Sequence, residues 1–156
     1  MEYKELISSF AERYGIENVS LENGEATLVV DYTAVTIREA KNVRAIIVSA
    51  MIGGPVSDAK GRLASYMLQA NHLFAGANAM TICQKEDTDE YLVVRAIPRA
   101  LADVETLAKT IEELADAVVE WRGNLTSFMD VDGEAEQKED EEKLLNPLFG
   151  GFYIQV

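Results

Sequence analysis

The sequence predicts an α+β domain, an antiparallel β-sheet with three helices in the order α-β-β-β-α-β-β-α. Three observations carry this. Residues 3–14, 63–74 and 104–125 space their apolar side chains by threes and fours, as an amphipathic helix does. The runs between Ala26 and Met51 are strand-like, and the first two, Ala26–Tyr32 and Val35–Glu39, are joined by a connection too short for anything but an antiparallel pair. Two further short runs flank a charged segment with nothing to bury. At 156 residues the chain fits one domain with a workable core, because chains of this size bury about two-thirds of their unfolded surface.

Taken in order, Tyr3, Leu6, Ile7, Phe10 and Tyr14 share one helical face that ends at Gly15, a natural left-handed stop. Asn23-Gly24 marks a turn. Ala26–Tyr32 and Val35–Glu39 alternate in strand fashion. The third run, Val43–Met51, is apolar on both sides: Val43, Ala45 and Ile47 on one, Ile46, Val48 and Ala50 on the other. Such a strand is either covered on both faces or has one face awaiting a partner. Gly53-Gly54-Pro55 closes the meander. Ser57 and Asp58 suit the start of the second helix, which carries Leu63, Tyr66, Met67, Ala70, Leu73 and Phe74 and stops by Gly76. Leu68 and Phe74 widen its apolar surface beyond one stripe. Ala79–Gln84 and Tyr91–Ile97 form a hairpin around residues 85–90. After Pro98, with Asp103 placed as a cap, Val104, Leu107, Ile111, Leu114, Val118, Trp121 and Leu125 lay out the longest helix.

The net charge is −13. Up to Asn124 there are 19 acidic against 12 basic side chains, a net of −7. Such a surface repels phosphate backbones and anionic lipids, so neither nucleic acid nor membrane is an expected partner. It serves solubility and equally suits selection of basic partners. Cys83 is the one cysteine, which excludes an intramolecular disulfide and suits a reducing compartment. The N-terminal residues lack a basic-then-apolar signal pattern. The apolar run Ala45–Ile52 is too short to span a bilayer. A cytoplasmic protein is expected.

Catalytic patterns are absent. The single histidine, His72, lies beside the apolar stripe of the middle helix, and its spacing from Cys83 suggests no nucleophile and base. No Cys/His cluster offers a metal site. Gly53-Gly54 lacks the Lys-Ser/Thr that a phosphate loop requires. Asp87, Asp89 and Glu90 lack the spacing and closing glutamate of a calcium loop. No cofactor is expected, and no catalytic residue is assigned. What remains is binding through surfaces.

Leu68-Gln69-Ala70-Asn71, the break containing Gly76, Tyr91-Leu92-Val93-Val94-Arg95 and the closing Glu120-Trp121-Arg122 together resemble the Tir-chaperone (CesT-like) family, the class I chaperones of type III secretion. The resemblance spans roughly Leu6 to Leu125 in the order and spacing of elements. It implies the same fold and a homodimer associating through the second helix and neighbouring strands, in the bacterial cytoplasm. It further implies binding of the N-terminal chaperone-binding segment of a secreted effector in extended form, keeping it soluble and ready for export. The secretion-system ATPase is a further implied partner. The expected effector-receiving surface is Leu6, Phe10 and Tyr14 on the first helix with Val29, Ile46 and Val48 on the sheet. The expected dimer contact is Tyr66, Leu68, Gln69 and His72. The alternative is a regulatory or scaffold module of the same fold that sequesters a regulator protein.

Beyond residue 125 the composition changes. Asp130–Glu142 holds eight acidic residues against Lys138, so residues 126–142 are expected to form an acidic flexible linker. Residues 143–156 restore an apolar tail. It either folds back on its own domain or docks elsewhere through Leu148, Phe149, Phe152 and Ile154, its last residues being able to add as a strand to a sheet edge.

Overall fold

The computed structural model describes residues 2–16, 19–30, 32–54, 61–72, 79–86, 88 and 90–145. Among these the elements are α1 (Tyr3–Tyr14), β1 (Ser20–Glu22), β2 (Glu25–Val30), β3 (Thr33–Ala40), β4 (Ala45–Gly53), α2 (Arg62–Asn71), β5 (Thr81–Gln84), β6 (Tyr91–Pro98), a single 3-10 turn Arg99–Leu101 and α3 (Val104–Leu145). The strands form one antiparallel sheet in the order β1-β2-β3-β4-β6-β5. The α+β class and the expected order hold, with one strand more than the sequence reveals. β1 is three residues long, too short to display alternation. It exists because Asn23 and Gly24 both adopt positive φ, 51° and 82°, which closes a two-residue hairpin whose twist suits the strands on either side.

α1 covers the span its periodicity predicts. A reciprocal capping box between Glu2 and Glu5 starts it, and Gly15 at φ 64° ends it. The N–H of Ile16 returns to the carbonyl of Ala11 at 2.9 Å. The phenol of Tyr3 donates to the carbonyl of Ile37 at 2.7 Å, which pins the start of the helix to β3. Burial raises the pKa of this phenol. The capping expectation at Ser57 and Asp58, like the stop at Gly76 and the apolar positions Leu73 and Phe74, lies outside the described residues.

α3 is capped as predicted. The Asp103 carboxylate accepts from the backbone N–H of Thr106 at 2.7 Å, and these hydrogen bonds hold its pKa below the ordinary aspartate value. Its apolar stripe, Leu107, Ile111, Leu114, Val118, Trp121 and Leu125, is buried in the same cluster as Ile37, Ile46, Val48, Ala50 and Val93 of the sheet. Charged groups brace the layer: Arg95 of β6 pairs with Glu113 of α3, and Arg122 donates to the carbonyl of Met51 at 3.2 Å. At Gly53 a Cβ would stand 2.8 Å from Leu125 Cδ1. The β4–β6 register slips there, between Met51 and Gly53, and the absent side chain lets the helix close down.

Three expectations change. Val43 belongs to the β3–β4 turn rather than to the strand, which starts at Ala45. The stretch 126–142, read as a linker, lies inside α3, which continues as helix to Leu145. Extending an already packed helix adds a hydrogen bond per residue with no new nucleation, and Glu, Ala, Gln and Lys are good helix formers whether or not they pack. Finally, Leu6, Phe10, Ile46 and Val48 are buried in the core of the single chain, each no more than 4% exposed, so they are not a receiving surface. Their periodicity was that of the interior face. Phe10→Ala is therefore expected to lower the unfolding free energy by about 3–5 kcal/mol, measured by urea titration. Phe10→Asp is expected to yield no folded protein. A change below ~1 kcal/mol for the alanine variant would place Phe10 outside the core.

Candidate protein-binding face

With α1 and α3 packed on one side of the sheet, side-chain alternation decides what the other side carries. Along β4 the even positions Ile46, Val48, Ala50 and Ile52 are buried, whereas Ile47 and Ser49 are half-buried and Met51 is exposed. The two-sided apolar character of this strand is thus explained: one face is covered by helices, and no element among the described residues seals the other.

The strand register extends this open face across the sheet. Thr27, Thr36, Ser49, Val94 and Thr81 form one transverse row. Glu25, Arg38, Ile47 and Ala96 form the next. Met51, Leu92 and Cys83 line up on the other side of the threonine row, where Val29 pairs with Ala34. Apolar positions are scattered among hydroxyls and charges over a broad surface, with Val29 71% exposed. A shallow depression of about 390 Å³ runs over Ile47, Ser49, Leu92 and Val94, with Arg38 and Lys85 at its margin. Such a mosaic suits an extended polypeptide better than a compact small molecule, whose pockets bury most of the ligand surface.

The expected site residues divide accordingly. Val29 lies on the open face. Tyr14 is 46% exposed at the end of α1, its ring 5.0 Å from that of Phe10, on the helical side of the sheet. The structure does not bring these two together. On α2, Leu68, Gln69 and His72 are exposed and share one outward arc with Ser65, whose hydroxyl accepts from the Gln69 amide at 3.4 Å. Tyr66 lies about 160° around the helix from Leu68, its ring 5.5 Å from that of buried Trp121, so it belongs mainly to the seam between α2 and α3. The tail residues Leu148, Phe149, Phe152 and Ile154 lie outside the described residues. Sequence reasoning missed Ile47, Met51, Leu92 and Val94 as surface. The signal was their parity, opposite to that of Ile46, Val48 and Val93, but parity alone does not say which side the helices take.

The two edges of the sheet differ. β5 is engaged by Asn71, whose amide accepts from the N–H of Ile82 and donates to its carbonyl, both at 2.8 Å. β1 stands at the other edge.

The geometry gives no support for nucleophilic chemistry. Cys83 sits at the depression, whose lining does not include His72, and burial raises the thiol pKa, the reverse of activation. Among the described residues no group of three or more His, Cys, Asp or Glu is positioned to hold a metal ion, and no helix is long and apolar enough to cross a membrane.

The model of the Tir chaperone protein (CesT) family matches residues 5–122, from α1 through the packed part of α3. The chain belongs to this family. It is a family of chaperones rather than of enzymes. No curated protein matches the chain significantly. Among solved structures, the HopA1-SchA chaperone-effector complex is similar, with 19% identity, a TM-score of 0.64 and coverage of 78% of this chain and 93% of that one. The ExsC-ExsE complex is similar at 23% identity and a TM-score of 0.62, covering 78% and 91%. The heterodimeric ExoU-SpcU complex from the type III secretion system of Pseudomonas aeruginosa follows at 15% identity and a TM-score of 0.55, covering 76% and 93%. At these identities the likeness speaks for the fold.

Alkylation of Cys83 is expected to have its half-rate pH above that of a free cysteine peptide, followed by iodoacetamide labelling across a pH series. A midpoint below the free value would indicate an activated thiol.

Proposed function

We propose that this protein is a homodimeric type III secretion chaperone that holds the N-terminal chaperone-binding segment of a secreted effector in extended form, keeping it soluble until export. The observation that carries this reading is the uncovered sheet face, with apolar anchors set among hydroxyls, on a chain whose family is that of the Tir chaperones. Val29, Ile47, Met51 and Leu92 are the anchors on that face, and Tyr14 adds a foothold on the helical side. Each ligand side chain fully buried there contributes about 1.5–3 kcal/mol, so several in series offset the ordering of a disordered segment. Main-chain pairing with β1 adds hydrogen bonds indifferent to ligand sequence. Binding alone suffices, with no catalytic step, and the acidic surface favours ligand segments carrying basic residues.

In this reading the two copies meet through Leu68, Gln69 and His72 on the outer arc of α2. The protein works in the bacterial cytoplasm and presents its cargo to the export machinery, including the secretion ATPase.

The test is titration calorimetry of the purified chain with the N-terminal hundred or so residues of the effector that co-purifies with it. Val29→Asp, on an exposed position that should tolerate the change, is expected to weaken binding about tenfold or more while leaving the melting temperature and the sedimentation coefficient of a dimer unchanged. Unaltered affinity in both Val29→Asp and Ile47→Asp would remove the open face as the binding surface. Recovery of only a transcription regulator or signalling protein in the co-purification would favour the sequestering module instead.

A further inference from the structure

One hairpin of the sheet carries a residue that the fold itself does not use. Val30 of β2 pairs with Thr33 of β3, so only two residues separate the strands, and Tyr32 is one of them. Its φ is 63°, in the left-handed region that glycine and asparagine enter most readily and bulky side chains seldom do. A less strained solution stands at the other end of the same strand, where the β1–β2 hairpin turns on Asn23 and Gly24, both also at positive φ. Tyr32 is moreover 98% exposed, more than any other large apolar side chain among the described residues. Neither ring pair among the described residues includes it, and at this exposure its ring adds nothing to the core. Strain held where the core gains nothing points to a contact outside the chain.

The neighbouring positions say what that contact is. Val29 and Ala34 are the outward-facing pair next to the turn, and the register that sets Val35 opposite Ala50 brings Met51 opposite Ala34. Val29 is 71% and Met51 43% exposed, whereas Ala34, exposed between them, offers only a methyl group. The row therefore dips at Ala34 between two bulkier flanks. Tyr32 lies two residues from Ala34, about 7 Å along a strand, a distance that an aromatic side chain covers. We propose that Ala34 floors a notch for one large apolar side chain of the bound effector segment, with Val29 and Met51 as its walls and the Tyr32 ring closing over it. Tyrosine suits this position, because its ring packs on an apolar partner while its hydroxyl stays in water, and only two side-chain torsions are frozen in doing so. An anchor fixed at this end of the face sets the register of the remaining segment over the rows beyond it. The inference rests on the open face being the effector surface, and it adds Tyr32 and Ala34 to the residues that choose the ligand.

The experiment uses full-length chains and, as probe, the recombinant N-terminal effector segment of the calorimetric titration above. Two readouts are taken on each variant, the affinity and the melting temperature of the free chain. Tyr32→Asn is expected to raise the melting temperature by about 2–4 °C, since asparagine tolerates the left-handed turn, and to weaken binding about tenfold. Tyr32→Phe, which keeps the ring, should stay within about twofold of the parent affinity. Ala34→Leu fills the notch from an exposed position and should weaken binding about tenfold with the melting temperature unchanged. A Tyr32→Asn chain that loses melting temperature together with affinity overturns the proposal, because the tyrosine would then be holding the turn itself. Equal losses in Tyr32→Asn and Tyr32→Phe give the contact to the hydroxyl and overturn the apolar occupant. Unaltered affinity in Tyr32→Asn or Ala34→Leu, beside a loss in Val29→Asp, removes the notch and leaves the open face standing. A loss in Tyr32→Asn beside unaltered affinity in both Val29→Asp and Ile47→Asp removes the open face and the notch with it.

Discussion

The structure depends on the packing of α3 against the inner face of β4 and β6. Leu107, Leu114, Val118 and Trp121, each no more than 1% exposed, form the central seam, and the missing side chain at Gly53 lets the end of the seam close on Leu125. Once this helix occupies one side, every strand residue is assigned a destination by the two-residue repeat of the sheet. Ile46 and Val48 go inside, and Ile47 and Ser49 go out. The candidate binding face is therefore a by-product of core formation: it is the side that the longest apolar stripe in the chain does not cover.

That face has the character of a surface for polypeptide rather than for a reaction. Among the described residues its polar groups are hydroxyls and a few charges, Glu25 lying opposite Arg38 in the register, and its lining holds no histidine beside the thiol to act as a base. The one thiol on it is driven toward its neutral form by burial. Apolar positions are dispersed along rows four or five strands wide, which matches the spacing of alternate side chains on an extended partner. Affinity on such a ground comes from many modest contacts, so selectivity between ligands rests on their pattern more than on any single pocket.

Much of this was legible in the residues. The limits of α1, the Asp103 cap and the hairpin around 85–90 followed from periodicity and local turn chemistry, because those signals act over a few neighbours, while the family likeness rested on the resemblance of residues 68–71, 91–95 and 120–122. The errors came from what neighbours cannot specify. Leu6, Phe10, Ile46 and Val48 lie in the core and not on a receiving surface: an apolar stripe reads the same whether it faces a core or a client. Val29 does not share a face with Ile46 and Val48, since its register partner Ala34 sits on the opposite side from theirs. β1 was invisible because three residues carry no alternation. The helical backbone of 126–142 was hidden behind a composition that argues against packing but is silent on helix propagation.

The amide of Asn71 has a consequence for how this protein can assemble. By occupying the outward N–H and C=O of Ile82, it leaves the four-residue β5 without the ladder that another strand would need. Lateral growth of the sheet is thus confined to the β1 end. Twins joined edge to edge at β1 present only their Asn71-engaged β5 strands at the two outer ends, so such pairing stops at two copies and runaway fibril growth is denied its second template.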